Sequence, residues 1–442
     1  AIPKMDYSKG IPKEQSTMVV IPTIVKNKAK IDEIFEKLET YYLANKTDNL
    51  YFSLLGDCFG NNESHHPMDA EIAEYGLKKS KELNKKYKKD LFYFVYRQRV
   101  FNTSEDTYIG YERKRGALLH FNKLLLDTMS SADKEKYIYC ENVSELKGKI
   151  KYVITLDTDT ELILGAAPKL VGLMSHPLNT PILNKEKTKV EKGYGIVQPR
   201  IGIDIESTNA SSYSQLIAGI GGLDVYSSIV PNLYQDAFGE GSFWGKGIYD
   251  LEVYNQVLEN AFPDNIILSH DLIECNYLRC GYASDIEVID GFPAEFLVDT
   301  SRQHRWTRGD IQIIGWLKKK VKNRLNKTVV NPISTISKFK IFDNLRRVLL
   351  YPSLLLMIIL SFYVSKYKPI YALLIVIIII ALPIIFYIRE FLNIQAKRRM
   401  NIKYYDDLLF GNFAIVARVI MSFITIPYYS YLYLNATFKS LY

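Results

Sequence analysis

Residues 152–156, Tyr-Val-Ile-Thr-Leu, run without a turn into Asp157-Thr158-Asp159. No other stretch constrains the fold as much. The run reads as a buried β-strand, so it delivers two carboxylates to the rim of a core. There they repel each other and resist desolvation. A divalent cation removes that cost, and hard oxygen ligands suit Mg2+ or Mn2+. Asp157 and Asp159 are therefore candidate metal ligands in a site for a diphosphate. The same residue types also serve in an ordinary turn after a strand.

The chain around this strand alternates. Thr17–Val25 reads as a strand, and residues 28–43 as an amphipathic helix with Ile31, Ile34, Phe35, Leu38 and Tyr42 on one face. Residues 51–55 read as a strand that ends in Gly56-Asp57, followed by a charged helix over 67–89, a strand over 91–96 and a helix over 116–129. Beyond the central strand, 161–174 reads as a helix, and 195–199 and 284–289 as strands. This order predicts an α/β fold: a mixed, mostly parallel sheet with helices on both faces and ligands at the carboxyl ends of the strands. Asp57 and the Asp157/Asp159 pair are both expected on that edge.

Three later stretches carry further candidate chemistry. Residues 110–117, Gly-Tyr-Glu-Arg-Lys-Arg-Gly-Ala, form a basic loop opening a helix, where Lys114 or Arg115 suits a phosphate; a solvated basic turn is the plain alternative. Residues 238–247 place four glycines around Glu240, Phe243 and Trp244 without the Lys-Ser/Thr ending of a phosphate-binding loop. That composition suits a sugar-facing loop, with Glu240 binding hydroxyls. In Ser269-His270-Asp271, Asp271 is either a helix cap or a general base for a sugar hydroxyl. Residues 302–310, Arg-Gln-His-Arg-Trp-Thr-Arg-Gly-Asp, combine guanidinium forks for phosphate with a flat indole face for a sugar ring. The plain alternative there is a basic helix next to a membrane.

Charge and cysteines narrow the class. With 56 Lys+Arg against 48 Asp+Glu, the net charge of +8 suits a membrane surface or nucleotide phosphates. No zinc-finger, RNA-recognition or basic-zipper pattern points to nucleic acid. Cys58, Cys140, Cys275 and Cys280 lack Cys-x-x-Cys or metal-ligand spacing and read as reduced thiols. The chain starts without Met or an apolar leader and reads as part of a longer polypeptide.

The C-terminal quarter is apolar. Residues 348–364 and 369–388 carry no charge and are long enough to span a bilayer. Residues 408–434 form a third segment, spanning or interfacial, that includes Arg418 and Pro427. Arg346, Arg347 and Lys397-Arg398-Arg399 flank the first two spans, with Lys366 and Lys368 between them. The positive-inside rule places the preceding domain in the cytoplasm. The expected division is a lead-in over 1–15, a globular domain over 16–330 and a membrane region over 331–442.

Asp57, Asp157-x-Asp159, Asp271 and Arg302-x-x-Arg305-Trp306 follow one another in the order of a D, D-x-D, (T/E)-D, (Q/R)-x-x-R-W series. In this the chain resembles the membrane-bound inverting glycosyltransferases of the cellulose, chitin and hyaluronan synthase superfamily. Longer phrases, GYERKRGALLHFN, YQDAFGEGSFWGKGIYD, LSHDLIE and RQHRWTRGDIQ among them, resemble the glycosyltransferase region of cyclic β-1,2-glucan synthases. The resemblance implies a GT-A fold, UDP-glucose as donor, a β-1,2-glucan acceptor, and a multi-pass protein of the bacterial inner membrane with further carbohydrate-processing domains. It puts Asp57 by the uridine, Lys114 near the diphosphate, and Asp157 and Asp159 on the metal and UDP. Asp271 becomes the catalytic base. Arg302 and Arg305 line the diphosphate, and Gln303 and Trp306 the acceptor end. Ser-His-Asp in place of Thr-Glu-Asp, and Arg302 where Gln is usual, set the chain apart from cellulose synthase proper. A synthase of β-1,3- or β-1,4-glucan, and a non-catalytic nucleotide-sugar-binding scaffold, are the competing readings.

Overall fold

The computed structural model describes residues 2–103, 105–139, 141–218, 233–364, 368–395 and 416–441. Two compact units emerge: Ala1–Asp204, Gly221–Gly291 and Gly315–Lys338 form the first, and Ile205–Ile220, Phe292–Ile314 and Phe339–Tyr442 the second.

The first unit is built on a nine-stranded sheet. Its strands are β1 (Thr17–Val25), β2 (Leu50–Cys58), β3 (Phe92–Arg97), β4 (Tyr137–Tyr139), β5 (Tyr152–Thr155), β6 (Thr160–Glu161), β7 (Ile196–Ile203), β8 (Gly247–Asp250) and β9 (Cys280–Asp290). They lie in the order β4-β3-β2-β1-β5-β8-β7-β9-β6. β3, β2, β1 and β5 are parallel neighbours, as are β7 and β9. β8 runs antiparallel between β5 and β7, and β4 and β6 close the edges antiparallel. Successive residues Met18, Val19, Val20 and Ile21 of β1 are all fully buried. Side chains alternate along a strand, so both faces of β1 are covered, as parallel sheets require.

Helix α1 (Lys28–Ala44) starts where the Asn27 side chain accepts from the Lys30 amide. It buries Ile31, Ile34, Phe35 and Leu38, the face set by its sequence period. Each such side chain contributes about 1.5–3 kcal/mol of burial. α2 (Met68–Tyr87), α3 (Arg113–Leu125) and α4 (Ala166–Ser175) follow. The mixed, mostly parallel α/β architecture is thus as the sequence predicts. Cys58, Cys275 and Cys280 are buried and form no disulfide among the described residues; Cys140 lies outside them.

Three details differ from expectation. β2 continues through Asp57 to Cys58, because Asp57 pairs in register with Arg97 of β3. No helix begins at residue 161: Thr160–Glu161 pairs with β9, and the helix waits until Gly165, at φ +69°, turns the chain into α4. β8 forms inside a glycine-rich stretch that read as loop. The Asp250 side chain ends it by accepting from the Val253 amide, capping helix α5 (Leu251–Leu258).

In the second unit, α7 (Phe296–Gln312) packs on α10 (Ile426–Leu441), with the Phe296 ring 5.3 Å from Tyr428. Between them in sequence come α8 (Thr335–Val364) and α9 (Lys368–Gln395). Leu354, Val376 and Ile426, one from each of the three apolar segments, pack together. Among the described residues one helix, Thr335–Tyr363, is long and apolar enough to cross a membrane, with mean hydropathy 1.7. Pro369–Leu382 is apolar but shorter. Residues 408–415 of the expected third segment, and Lys366 and Lys397-Arg398-Arg399, lie outside the described residues.

Candidate active site

The acidic turn leaves β5 at the carboxyl edge of the sheet. The Thr160 amide bonds to the Asp157 carbonyl (3.1 Å), and the Gly291 amide to the Asp159 carbonyl (3.2 Å). Lys37 donates to the Thr158 carbonyl (2.5 Å), and the Thr160 hydroxyl to Asp290 Oδ1 (2.7 Å). Four residues of irregular backbone are thereby tied to α1 and to the end of β9.

Two ammonium groups face Asp157. Lys114 Nζ lies 2.5 Å from its Oδ1 and 2.8 Å from the Gly245 carbonyl. Lys246 Nζ lies 3.5 Å from its Oδ2 and also pairs with Asp290. Lys114 reaches this place because Glu112 and Arg113, at φ 51° and 49°, turn the backbone sharply at the start of α3. Burial works against ionising Asp157, but Lys114 and Lys246 outweigh it and hold the carboxyl below its ordinary value. Burial likewise disfavours both ammonium ions, yet the carboxylates raise them: Asp157 and Asp271 for Lys114, Asp157 and Asp290 for Lys246. Asp290 itself is pushed up by burial, against the pull of Lys246. The Asp159 side chain is exposed, and no hydrogen bond or ion pair reaches its carboxylate among the described residues.

Asp271 opens helix α6 (Asp271–Leu278). It is not a capping residue: the N-cap is His270, and no side chain caps the helix. Asp271 Oδ1 is buried without a hydrogen-bond partner. The bare Gly245 backbone, at φ +84°, stands against it: a Cβ there would lie 3.0 Å from Oδ1 and 3.1 Å from Oδ2. Burial raises the Asp271 carboxyl above its ordinary range; His270 and Lys114 pull it down, and Glu274 and Asp157 push it up again. A carboxylate whose proton affinity is raised is the better general base.

The remaining candidates divide. Asp57 is buried, and Arg97 takes both its oxygens, Nε to Oδ1 at 2.6 Å and Nη2 to Oδ2 at 2.8 Å. Behind this pair, Arg97 Nη1 lies 3.1 Å from His120 Nδ1. Burial, helped by Arg97, drives the His120 imidazole down to about 2. Glu240 sits 3.8 Å from Arg279, at the amino-terminal end of β9, whereas Asp290 marks its other end. Arg302, Gln303, Arg305 and Trp306 lie on α7 in the second unit. There the buried Asp299 accepts from Arg302 (2.7 Å), Gln303 (2.8 Å) and Tyr213 (2.7 Å), and the Arg302 guanidinium stacks 4.8 Å from the half-exposed Trp306 ring. Arg305 is exposed.

The structure thus gathers Lys114, Asp157, Asp159 and Asp271 in one unit, and adds Lys246, Asp290 and Arg97, which sequence reasoning did not assign. Lys246 stood inside the glycine-rich loop. Asp290 stood one residue past an expected strand end, the placement that had singled out Asp157.

A scan of protein-family models finds no match. Over 371 residues, 82% of its length, the chain is 33% identical to a protein of Rhizobium meliloti (strain 1021) named cyclic beta-(1,2)-glucan synthase NdvB. The chain is a relative of one segment of that synthase. The segment is 12% of the synthase's length. Among solved structures, the mannosyltransferase PcManGT from Pyrobaculum calidifontis, in complex with GDP-Man and Mn2+, aligns with 96% of this chain and 87% of its own, at 11% identity and a TM-score of 0.43.

Proposed function

We propose that the chain is a membrane-bound inverting glycosyltransferase of GT-A type that moves glucose from UDP-glucose onto a growing β-1,2-glucan. The observation that carries this is the pairing of an acidic turn, whose Asp157 faces two lysines, with a separate, unbonded carboxylate. Lys114 stands 2.5 Å from Asp157 and 2.8 Å from the carbonyl of Gly245, the residue against which Asp271 lies. One part suits a diphosphate leaving group; the other suits a base. The kinship with one segment of a protein named a cyclic beta-(1,2)-glucan synthase supports the choice of glucose and of the linkage.

The carboxylate open to a divalent ion is Asp159, which is exposed, whereas the oxygens of Asp157 and Asp290 face Lys114, Lys246 and the Thr160 hydroxyl. Asp159 with Asp157 would hold Mg2+ or Mn2+, which when bound neutralises diphosphate charge. The chain's own residues carry the rest. Lys114 and Lys246 supply positive charge where the leaving oxygen becomes anionic. Asp271 takes the proton of the acceptor hydroxyl as its oxygen bonds to the anomeric carbon. The bond to UDP breaks on the opposite face, so an α-linked donor gives a β-linked product. Asp57, fixed by Arg97, supports the uridine side. On the second unit, Arg302, Gln303, Arg305 and Trp306 are the groups suited to phosphate and sugar rings. The apolar segments of α8, α9 and α10 seat the chain in the bacterial inner membrane with the first unit in the cytoplasm, as part of a longer polypeptide.

The test is product analysis. The chain in detergent or membranes, given radiolabelled UDP-glucose, should release UDP and yield β-1,2-linked product. Asp271→Asn should abolish transfer and leave UDP binding within about twofold. EDTA should weaken UDP binding to wild type. Transfer at a near-normal rate in the Asn variant would overturn the reading of Asp271, and β-1,3- or β-1,4-linked product the choice of linkage.

A further inference from the structure

Asp271 has two buried neighbours that the mechanism leaves unused. His270 and Glu274 occupy positions one helical turn apart at the start of α6, and the Glu274 amide donates to the His270 carbonyl (2.9 Å). His270 Nδ1 lies 3.0 Å from Glu274 Oε2 and 3.8 Å from Asp271 Oδ1. Glu274 is 1% exposed and His270 7%. One imidazole nitrogen thus stands between a fully buried carboxylate and the buried, unbonded oxygen of the candidate base.

A neutral His270 would leave the buried Glu274 carboxyl with no positive group beside it, and a buried carboxylate is strongly destabilising when unpaired. The other groups facing this trio do not supply the missing charge. Tyr249 of β8 and Tyr254 of α5 lie toward Glu274 but are themselves held neutral, chiefly by burial. Lys114 of α3 and Asp157 of the acidic turn reach the trio with opposite signs. The histidine is the group placed to balance Glu274, and in doing so it sets a positive charge beside Asp271.

We propose that His270 is a positioning residue for Asp271: placed beside Glu274, its imidazolium acts through its charge, without a hydrogen bond to the base, to keep Asp271 ionised for the acceptor hydroxyl. The proposal rests on the reading of Asp271 as the base. It is consistent with the direction of the imidazole, where burial disfavours the proton but Glu274 and Asp271 together raise its affinity above the ordinary value.

The test is the pH profile of UDP release from UDP-glucose by the full chain, across about pH 5 to 9. His270→Gln removes the charge and keeps a polar side chain. It should move the acid limb upward by about one unit, a tenfold loss of rate at a fixed pH below the limb. UDP affinity, read by calorimetry, should stay within about twofold. His270→Lys should return the limb to the wild-type position. If the glutamine variant does not fold, His270→Asn makes the same removal with a smaller side chain. An acid limb that stays at the wild-type pH in the neutral variants overturns the proposal, whatever happens to the plateau rate. So does a lysine variant whose limb moves as far as theirs. Asp271→Asn, run in parallel, separates the failures: transfer by that variant at a near-normal rate removes the base itself. An unmoved limb in an enzyme that needs Asp271 removes only the role of His270.

Discussion

Gly245→Ala tests whether Asp271 acts where the structure holds it. Gly245 has φ +84°, and an added Cβ would stand 3.0, 3.1 and 3.2 Å from Asp271 Oδ1, Oδ2 and Cγ. Two costs follow. A non-glycine residue in this left-handed region is strained by roughly 1–2 kcal/mol. In addition, the methyl must push the carboxylate aside by a few tenths of an ångström, and the Gly245 carbonyl that holds Lys114 at 2.8 Å shares the same peptide. Since a misplacement of about 1 Å costs about a hundredfold in rate, a smaller shift of base and lysine together should lower kcat by about tenfold or more, about 1.4 kcal/mol. Gly165→Ala is the matched control. Its φ of +69° imposes similar strain, but no heavy atom lies within 4 Å of the added Cβ. Both variants should lose a few degrees of Tm, from about 2–4 °C per kcal/mol. Only Gly245→Ala should lose turnover, read as UDP release at saturating UDP-glucose. If the two variants turn over within about twofold of each other, Asp271 is not the base, or it does not sit against Gly245 when it acts.

Arg97→Met leaves the Asp57 carboxylate buried without its partner and should cost about 3–5 kcal/mol in thermal unfolding; Asp57→Asn on the same background should restore at least half, and a double variant as unstable as the sum of the singles would show that the pair is not coupled. His120 is held neutral in the fold at about 2, far below the imidazole of an unfolded chain, so the unfolded state binds the extra proton as pH falls. Stability should therefore decline below about pH 6.5, by up to about 1.4 kcal/mol per unit. His120→Gln should flatten that slope in Tm measured from about pH 7.5 to 5.5, and an equal slope in both proteins would refute the assignment.

Legibility in the sequence followed locality. β1 and the buried face of α1 were readable because their period is written into consecutive residues. The acidic turn was readable because a strand and its terminal carboxylates are contiguous. β8 was not: four residues among glycines are a strand only because β5 and β7 flank them. The partners of Asp157 and Asp57 were also hidden. Lys114 and Lys246 are separated from Asp157 by 43 and 89 positions, and no local rule pairs them. Asp57 looked like a strand end until Arg97 on the neighbouring strand extended the ladder past it. Asp271 looked like either a cap or a base, and only the uncapped helix start and the orphaned Oδ1 distinguish the two.

The ties that fix the acidic turn bear on when the site comes into being. Asp157 and Asp159 leave the ribosome before their partners, for the Thr160 hydroxyl meets Asp290 130 positions later. The Gly291 amide that holds the Asp159 carbonyl follows directly behind. At about 5–20 residues per second, the turn waits on the order of ten seconds for the far edge of its own sheet. Until then the two carboxylates sit on an unfinished rim, without the strand that aims them. A nascent chain halted before Asp290 has made every residue of the acidic turn and still lacks the geometry to use it.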